Sequence, residues 1–251
     1  MEAIILAAGL GTRLRPLTEN KPKALVEADG HTLLEININR LVAEGATRIA
    51  VNVHHFGEKV INYLTERKWN AEIVVSDELN MLLNTGAGVK KASTLLSGKE
   101  PIVVYNVDIL SRISLNDMVA KHLANGAVAT LAVSRRDTKR QLLFTPDGHL
   151  CGWLNRDTGE TLYPSNVSSI STLEQSSMQA FAFSGIWVVS PQLLAQLPPA
   201  DTPYPIIPEL LQLSVSQKIE LYEHRPDDWL DVGTPEKLAK ASSFLDNSKS
   251  L

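Results

Sequence analysis

The chain has 251 residues, of which 44% are hydrophobic and 21% charged, with a formal net charge of -4; this is the balance of a globular protein with one substantial core. A mildly acidic chain is a poor candidate for binding a nucleic-acid backbone, and a single cysteine, Cys151, cannot build a disulfide framework and points to a reducing compartment. The opening MEAIILAAGLG is too short in its apolar run, and too acidic at residue 2, for a secretory signal, and no stretch approaches the roughly 20 apolar residues that span a bilayer, so the cytoplasm is the expected home, with neither membrane nor nucleic acid as a partner.

Residues 2–8 (EAIILAA) read as a buried strand. Residues 33–44 carry Leu33, Leu34, Ile38, Leu41 and Val42 at helical spacing, 48–53 (RIAVNV) read as a strand, and 57–66 as a helix with Val60, Ile61 and Leu64 inward. A strand over 71–76, a helix over 86–96 and a strand over 101–105 follow. Strands alternating with helices predict βαβ units and a mainly parallel sheet, and runs such as IIL and IVV predict strands covered on both faces. After about residue 127 the pattern changes: 127–134, 141–145, 149–154 and 180–189 read as strands without a long helix between them, an antiparallel extension. The Ser- and Thr-dense stretch 165–177 reads as a loop or flap, its Asn166 sequon carries no weight without a signal peptide, and DNSKSL reads as a frayed tail. Helices return at 206–213 and 235–245, the second capped by Thr234 with Pro235 in its first turn. The expectation is one domain, with a first half of about 1–126 and a second of about 127–251.

The informative stretch is LAAGLGTRLRPLTENKPKALV, residues 6–26. Gly9 and Gly11 follow a buried strand and let backbone amides approach a ligand, Thr12 adds a hydroxyl, and Arg13 and Lys23 bracket the loop with two cations; together these suit a phosphate. The string lacks G-x-x-x-x-G-K-[ST], and the dinucleotide pattern starting at Gly9 fails because its sixth position is Leu14. A bare G-x-G is most often a tight turn; the whole string is more specific.

That string resembles the signature of the sugar-nucleotide pyrophosphorylases, nucleotidyltransferases with a Rossmann-like, GT-A-like fold. Gly9, Gly11, Thr12, Arg13, Pro16, Leu17, Thr18, Pro22 and Lys23 match it, while Ala24 stands where a proline is usual. Three further segments fit. Asn84-Thr85-Gly86-Ala87-Gly88 is similar to the segment that reads the base edge, although on its own it would fit a helix capped by Thr85. Asp108 in VVYNVDIL and Asp231 in WLDVGTPEKL match the two carboxylates that hold magnesium. FAFSGIWVVSP is similar to a strand lining the sugar pocket.

The resemblance therefore implies phosphate contacts at Arg13 and Lys23, nucleotide contacts at Leu6, Ala8, Gly9, Gly11, Thr12, Arg13, Asn84, Thr85 and Gly86, sugar contacts at Asn155 and Gly185, and Mg2+ on Asp108 and Asp231. The implied reaction joins a nucleoside triphosphate to a sugar 1-phosphate with loss of pyrophosphate. Its nucleophile is already an anion, so positioning and charge neutralisation suffice without a general base. The strings HHFGEKVINYL, LLNTGAGVKKA, AFSGIWVVSP and WLDVGTPEKL resemble the N-acetylmuramate 1-phosphate uridylyltransferases, which implies UTP and an amino-sugar 1-phosphate; mannose- and heptose-phosphate guanylyltransferases lie close by, and inactive regulatory subunits share the fold. A monomer or a homodimer is expected. His54 and His55 read as packing or capping residues, SRRDTKR (134–140) as a solvated basic turn, and Trp153, Trp187 and Trp229 as core aromatics.

Overall fold

The computed structural model describes residues 1–164 and 177–246. Residues 165–176 of the Ser- and Thr-dense stretch, with its sequon, and the tail beyond Asp246 lie outside them. Among the described residues no helix is long and apolar enough to cross a membrane.

The first half alternates as its hydrophobic pattern predicts. In chain order it runs β1 (Glu2–Leu6), the short hairpin β2 (Glu27–Ala28) and β3 (His31–Thr32), α1 (Leu33–Ala43), β4 (Arg48–Val53), α2 (Gly57–Thr65), β5 (Glu72–Asp77), α3 (Asn84–Ser93) and β6 (Ile102–Asn106). Strands β6, β1, β4 and β5 lie side by side and parallel. Their side chains alternate between two cores. Ala3, Ile5, Ile49, Val51 and Val103 face Leu34, Ile38 and Leu41 of α1. Ile4, Ala50 and Val104 face Val89 and Ala92 of α3 on the other side. Burial on both faces is why these strands read as unbroken apolar runs.

Two short stretches follow: β7 (Ile109–Ser111), then α4 (Leu115–Ala124), capped by the Ser114 hydroxyl, which accepts from Asp117 N at 3.1 Å. The extension comprises β8 (Ala129–Ser134), β9 (Arg140–Phe144), β10 (Leu150–Asn155), β11 (Thr161–Leu162) and β12 (Gln179–Val189), then β13 (Ile219–Glu223) and β14 (Trp229–Asp231). Its pairings are antiparallel apart from β13, which lies parallel to β8.

Strand β12 joins the halves. Ile186–Val189 pair with β6, while Gln179–Phe181 pair with β9, and the register against β8 shifts between Phe183 and Trp187. Gly185 sits in that shift at φ 70°, a left-handed conformation that glycine adopts without strain. The helix expected over 235–245 is two pieces, Pro235–Leu238 and Ala241–Asp246. Lys240 N donates to Lys237 O, only three residues back, which breaks the i→i−4 ladder. The second piece is held from outside by Arg112, which donates to Phe244 O at 2.6 Å and stacks on that ring.

Candidate active site

The site forms where β1 and β6 end. Chain leaving β1 becomes the glycine loop; chain leaving β6 becomes Val107, Asp108 and β7. Strand β7 pairs antiparallel with β14, setting Asp231 opposite Ile109, and Val232 N donates to Asp108 O at 2.9 Å. This two-stranded ribbon brings the two distant aspartates together at the C-terminal edge of the parallel strands, where open α/β sheets collect their ligands.

Arg13 stands between them. Its guanidinium lies 3.7 Å from Asp108 Oδ2 and 3.9 Å from Asp231 Oδ2. Lys23, which is nearly buried, pairs with the same Asp108 oxygen, and Lys237 pairs with Asp231 Oδ2 at 3.0 Å. Burial pushes the Asp231 carboxyl up, but Lys237, the Gly233 amide (2.8 Å from Oδ1) and Arg13 outweigh it and hold the group below the usual carboxylate range. Arg13, Asp108 and Asp231 border one small space. A methyl group at Gly233 would lie 2.7 Å from the Arg13 guanidinium, 2.7 Å from Asp231 Oδ1 and 3.1 Å from Asp108 Oδ2.

These residues suit a hard divalent cation. Two carboxylates facing one space, with room left for water and phosphate oxygens, match what Mg2+ takes from a protein, and a soft N/S ligand set is missing. Among the described residues no cluster of three or more His, Cys, Asp or Glu offers a competing site.

The glycine loop is shaped from within. Gly11 has φ 66°, and its carbonyl accepts from the Thr18 hydroxyl at 2.7 Å. A side chain at Gly11 would press on Thr18 and on the stem of Lys23, whereas Gly9 faces open space. The start of the loop is tied to β4: Ala7 N and Ala8 N both point to Asn52 Oδ1, at 2.6 and 3.3 Å. Asn52 in turn donates to Glu78 Oε1 at 2.8 Å, and Glu78 Oε2 accepts from Leu83 N at 3.1 Å, just before α3. Gly88 makes room for this buried pair, since a side chain there would lie 3.0 Å from Glu78 and 3.1 Å from Asn52. Neither Asn52 nor Glu78 was singled out by sequence, because a lone Asn and a lone Glu at strand ends carry no motif.

The segment from Asn84 to Gly88 departs from the plain-cap alternative. The helix opens at Asn84 (φ 63°), with no side-chain cap. Thr85 Oγ1 accepts from Ile206 N at 3.0 Å, and Gly86 N donates to Tyr204 O at 2.9 Å. A side chain at Gly86 would strike the Tyr204 ring. Asn84 and Thr85 remain exposed at the edge of the fold, while the Gly86 amide is used inside it.

The cleft beside the aspartates measures about 600 Å3 and is lined by Arg13, Asn106, Asp108, Arg136, Gly185 and Asp231, among others. Gly185 lines it, and a side chain there would lie 2.5 Å from the Asn106 amide. Asn155 does not reach it. Its carboxamide accepts from Asp157 N at 3.1 Å and closes its own turn, so the residue is a turn former, a common role for Asn.

Arg136 corrects the reading of 134–140 as a solvated turn. Its guanidinium donates to Ser134 Oγ (2.6 Å), Ser184 Oγ (2.9 Å) and Phe183 O (2.6 Å), and stacks on Trp229 at 3.7 Å. Burial pushes it down to about 10, with Asp231 opposing, so it stays charged at neutral pH. Trp229 Nε1 donates to Ser184 O at 2.7 Å, and His224 meets the Ser184 hydroxyl at 2.7 Å. Trp187 is a core residue, but Trp229 and Trp153 line cavities. His54 meets Glu78 O at 2.7 Å, the packing role expected of it, and burial pushes the Cys151 thiol up to about 11.

The sequence model of the family described as "Nucleotidyl transferase" matches residues 2–144. The N-acetylmuramate alpha-1-phosphate uridylyltransferase of Caulobacter vibrioides is 32% identical, covering 97% of this chain and 96% of its own. The mannose-1-phosphate guanyltransferase of Schizosaccharomyces pombe is 27% identical over 94% of this chain and 61% of its own length. Among solved structures, HddC from Yersinia pseudotuberculosis, complexed with GMP-PN, superimposes with a TM-score of 0.73 over 97% of this chain and 99% of its own at 20% identity, a likeness of fold.

Proposed function

The chain belongs to the nucleotidyl transferase family, and on that premise we propose that it joins the nucleotidyl group of a nucleoside triphosphate to a sugar 1-phosphate, releasing pyrophosphate. One observation carries the reading: Arg13, Asp108 and Asp231 border the single space beside Gly233, and Lys23 is paired with the Asp108 oxygen that faces it. The reaction brings two anions together, and its demands are alignment and charge neutralisation rather than proton abstraction. In this reading the loop amides and Arg13 hold the triphosphate, Lys23 meets phosphate near the reacting phosphorus, and the exposed Asn84–Thr85 edge of α3 faces the base. The residues up to about 126 then hold the nucleotide, and those from about 127, through Gly185 and the cleft wall, hold the sugar.

Nucleotidyltransferases of this family generally use divalent metal ions, and Mg2+ is the ion we assign to Asp108 and Asp231. Bound there, it would neutralise developing phosphate charge. Asp108 and Asp231 would hold it, and Arg13, which lies beside both carboxylates, would then be available to phosphate. For substrates we put UTP with an amino-sugar 1-phosphate such as N-acetylmuramate 1-phosphate first, because the relative matching over nearly the full length of both chains is a uridylyltransferase for that sugar. A guanylyltransferase acting on mannose or heptose phosphate is second, because the chain is also similar to mannose-1-phosphate guanyltransferases. We likewise propose the cytoplasm as its location.

The test is a matrix of the four ribonucleoside triphosphates and a set of sugar 1-phosphates, with Mg2+ and with EDTA, read as pyrophosphate release. Release with one pair, abolished by EDTA, is expected. No release with any pair would overturn the enzyme reading in favour of a regulatory subunit.

A further inference from the structure

A second cavity of about 420 Å3 adjoins the cleft and shares three wall residues with it, Thr138, Arg140 and Phe183. The rest of its wall is mainly apolar: Leu142, Trp153, Leu162, Ile207 and Pro208 are among its residues. The wall common to both cavities is thus a threonine, an aromatic ring and one guanidinium.

The other cations of this stretch are already engaged. Arg135 pairs with Glu223 at 3.0 Å, Arg136 is pinned by Ser134, Ser184 and Phe183, and Lys139 pairs with Asp157 at 2.5 Å. Asp137, the acid nearest in sequence, is taken by Arg156 at 2.8 Å. Arg140 is exposed and makes no ion pair or side-chain hydrogen bond among the described residues. It does not belong to the charged group around Gly233, where Arg13, Lys23 and Lys237 meet the aspartates.

We infer that Arg140 reads a second acid on the sugar. The substrate class is a hexose 1-phosphate whose ring carries a carboxylate-bearing arm, with the carboxylate on Arg140 and the apolar part of the substituents against Trp153 and Ile207. A guanidinium fits a carboxylate with two parallel hydrogen bonds, and the apolar wall of the neighbouring cavity offers contact to the apolar part of the arm. A neutral hexose phosphate would leave this cation without a partner. The inference rests on reading the cleft as a sugar 1-phosphate site and goes beyond it, assigning specificity to a residue the transfer step does not use.

The experiment compares N-acetylmuramate 1-phosphate with N-acetylglucosamine 1-phosphate, which lacks only the acidic arm. The wild-type protein is expected to favour the acidic sugar in kcat/KM by about 10- to 100-fold, the scale of a hydrogen bond to a charged group. In Arg140→Gln that ratio falls to within about 3-fold of unity, and Arg140→Lys, which keeps the charge without the fork, lies between. A wild-type ratio at or below unity, or a ratio that Arg140→Gln leaves as it was, overturns the inference while pyrophosphate release still supports the transfer reaction. If neither sugar turns over, the same pair of ligands is compared by calorimetry on wild-type and Arg140→Gln protein, and equal affinities in both overturn it.

Discussion

Asn52 donates its side-chain amide to Glu78 at 2.8 Å, and through this pair the start of the glycine loop is joined to the start of α3. Asn52 holds the Ala7 and Ala8 amides on one side; Glu78 holds the Leu83 amide on the other. Burial pushes the Glu78 carboxyl up, against the hydrogen bonds from Asn52 and Leu83. The pair touches no part of the cleft wall around the aspartates, so it acts on position rather than on chemistry.

Glu78→Gln keeps the size but turns one amide N–H toward a donor, either Asn52 or Leu83. With the two nucleotide segments no longer held at one spacing, KM for the triphosphate is expected to rise about 10-fold, the scale of one broken buried hydrogen bond. KM for the sugar phosphate is expected to change less than about 2-fold. Steady-state kinetics with each substrate varied in turn separates this from general loosening, which would raise both.

Asp231→Asn removes one of the two charges facing the space beside Gly233 while keeping the shape. The expected result is a fall in kcat of about 100-fold or more, with a higher Mg2+ concentration needed for half-maximal rate. Asp108→Asn should do the same and should also release Lys23 from its partner. Pyrophosphate release titrated against Mg2+ checks both; a variant with the wild-type metal requirement would remove that aspartate from the metal site.

Gly185→Ala meets two obstacles, a left-handed backbone and the Asn106 amide 2.5 Å from the new methyl. A loss of about 1–3 kcal/mol is expected. Gly30→Ala is the control, since Gly30 has φ 78° and open space around it; it carries the backbone strain alone, about 1 kcal/mol. Urea denaturation of the two variants isolates the contact with Asn106, and equal losses would show that the contact relaxes at no cost.

His122 is buried between Thr130 and Ser190, at 3.0 and 2.7 Å, and burial pushes its imidazole from 6.5 down to about 4. Above pH 6.5 the ring is neutral in both folded and unfolded states, and its contribution to stability is fully present. As pH falls from 6.5 toward 4, the unfolded chain binds a proton that the folded one refuses, so stability is lost at about 1.4 kcal/mol per pH unit. Between pH 7 and pH 5, wild type should therefore lose about 2 kcal/mol more than His122→Gln, measured by denaturant unfolding. Equal losses in the two proteins would place the proton uptake elsewhere.

Much of the first half was legible because its signals are local. A strand buried on both faces shows as an apolar run, a helix as a 3.6-residue period, and the loop from Gly9 to Lys23 as a string whose members are neighbours in sequence. The extension was less legible. Strand β13 gains its place by lying parallel to β8, and β7 and β14 are three residues each, held mainly by one another, too short for any period to register. Asn155 was misplaced because an Asn in a strand-to-turn junction looks the same whether it faces a sugar or its own backbone.

The sequence by itself determined the alternating architecture, the family and the identity of the charged groups, since apolar period and motif spacing are properties of the chain alone. Tertiary structure decided which charges meet. The β7–β14 ribbon carries Asp231 to Asp108, and Gly233 leaves the space between them and Arg13 open. It also decided the fate of two arginines four residues apart: Arg136 is locked against Trp229 and Ser184, and Arg140 is left facing a cavity. The physical reason is that a charge's partner depends on distance and burial in space, and both are set by strands that pair across the whole length of the chain.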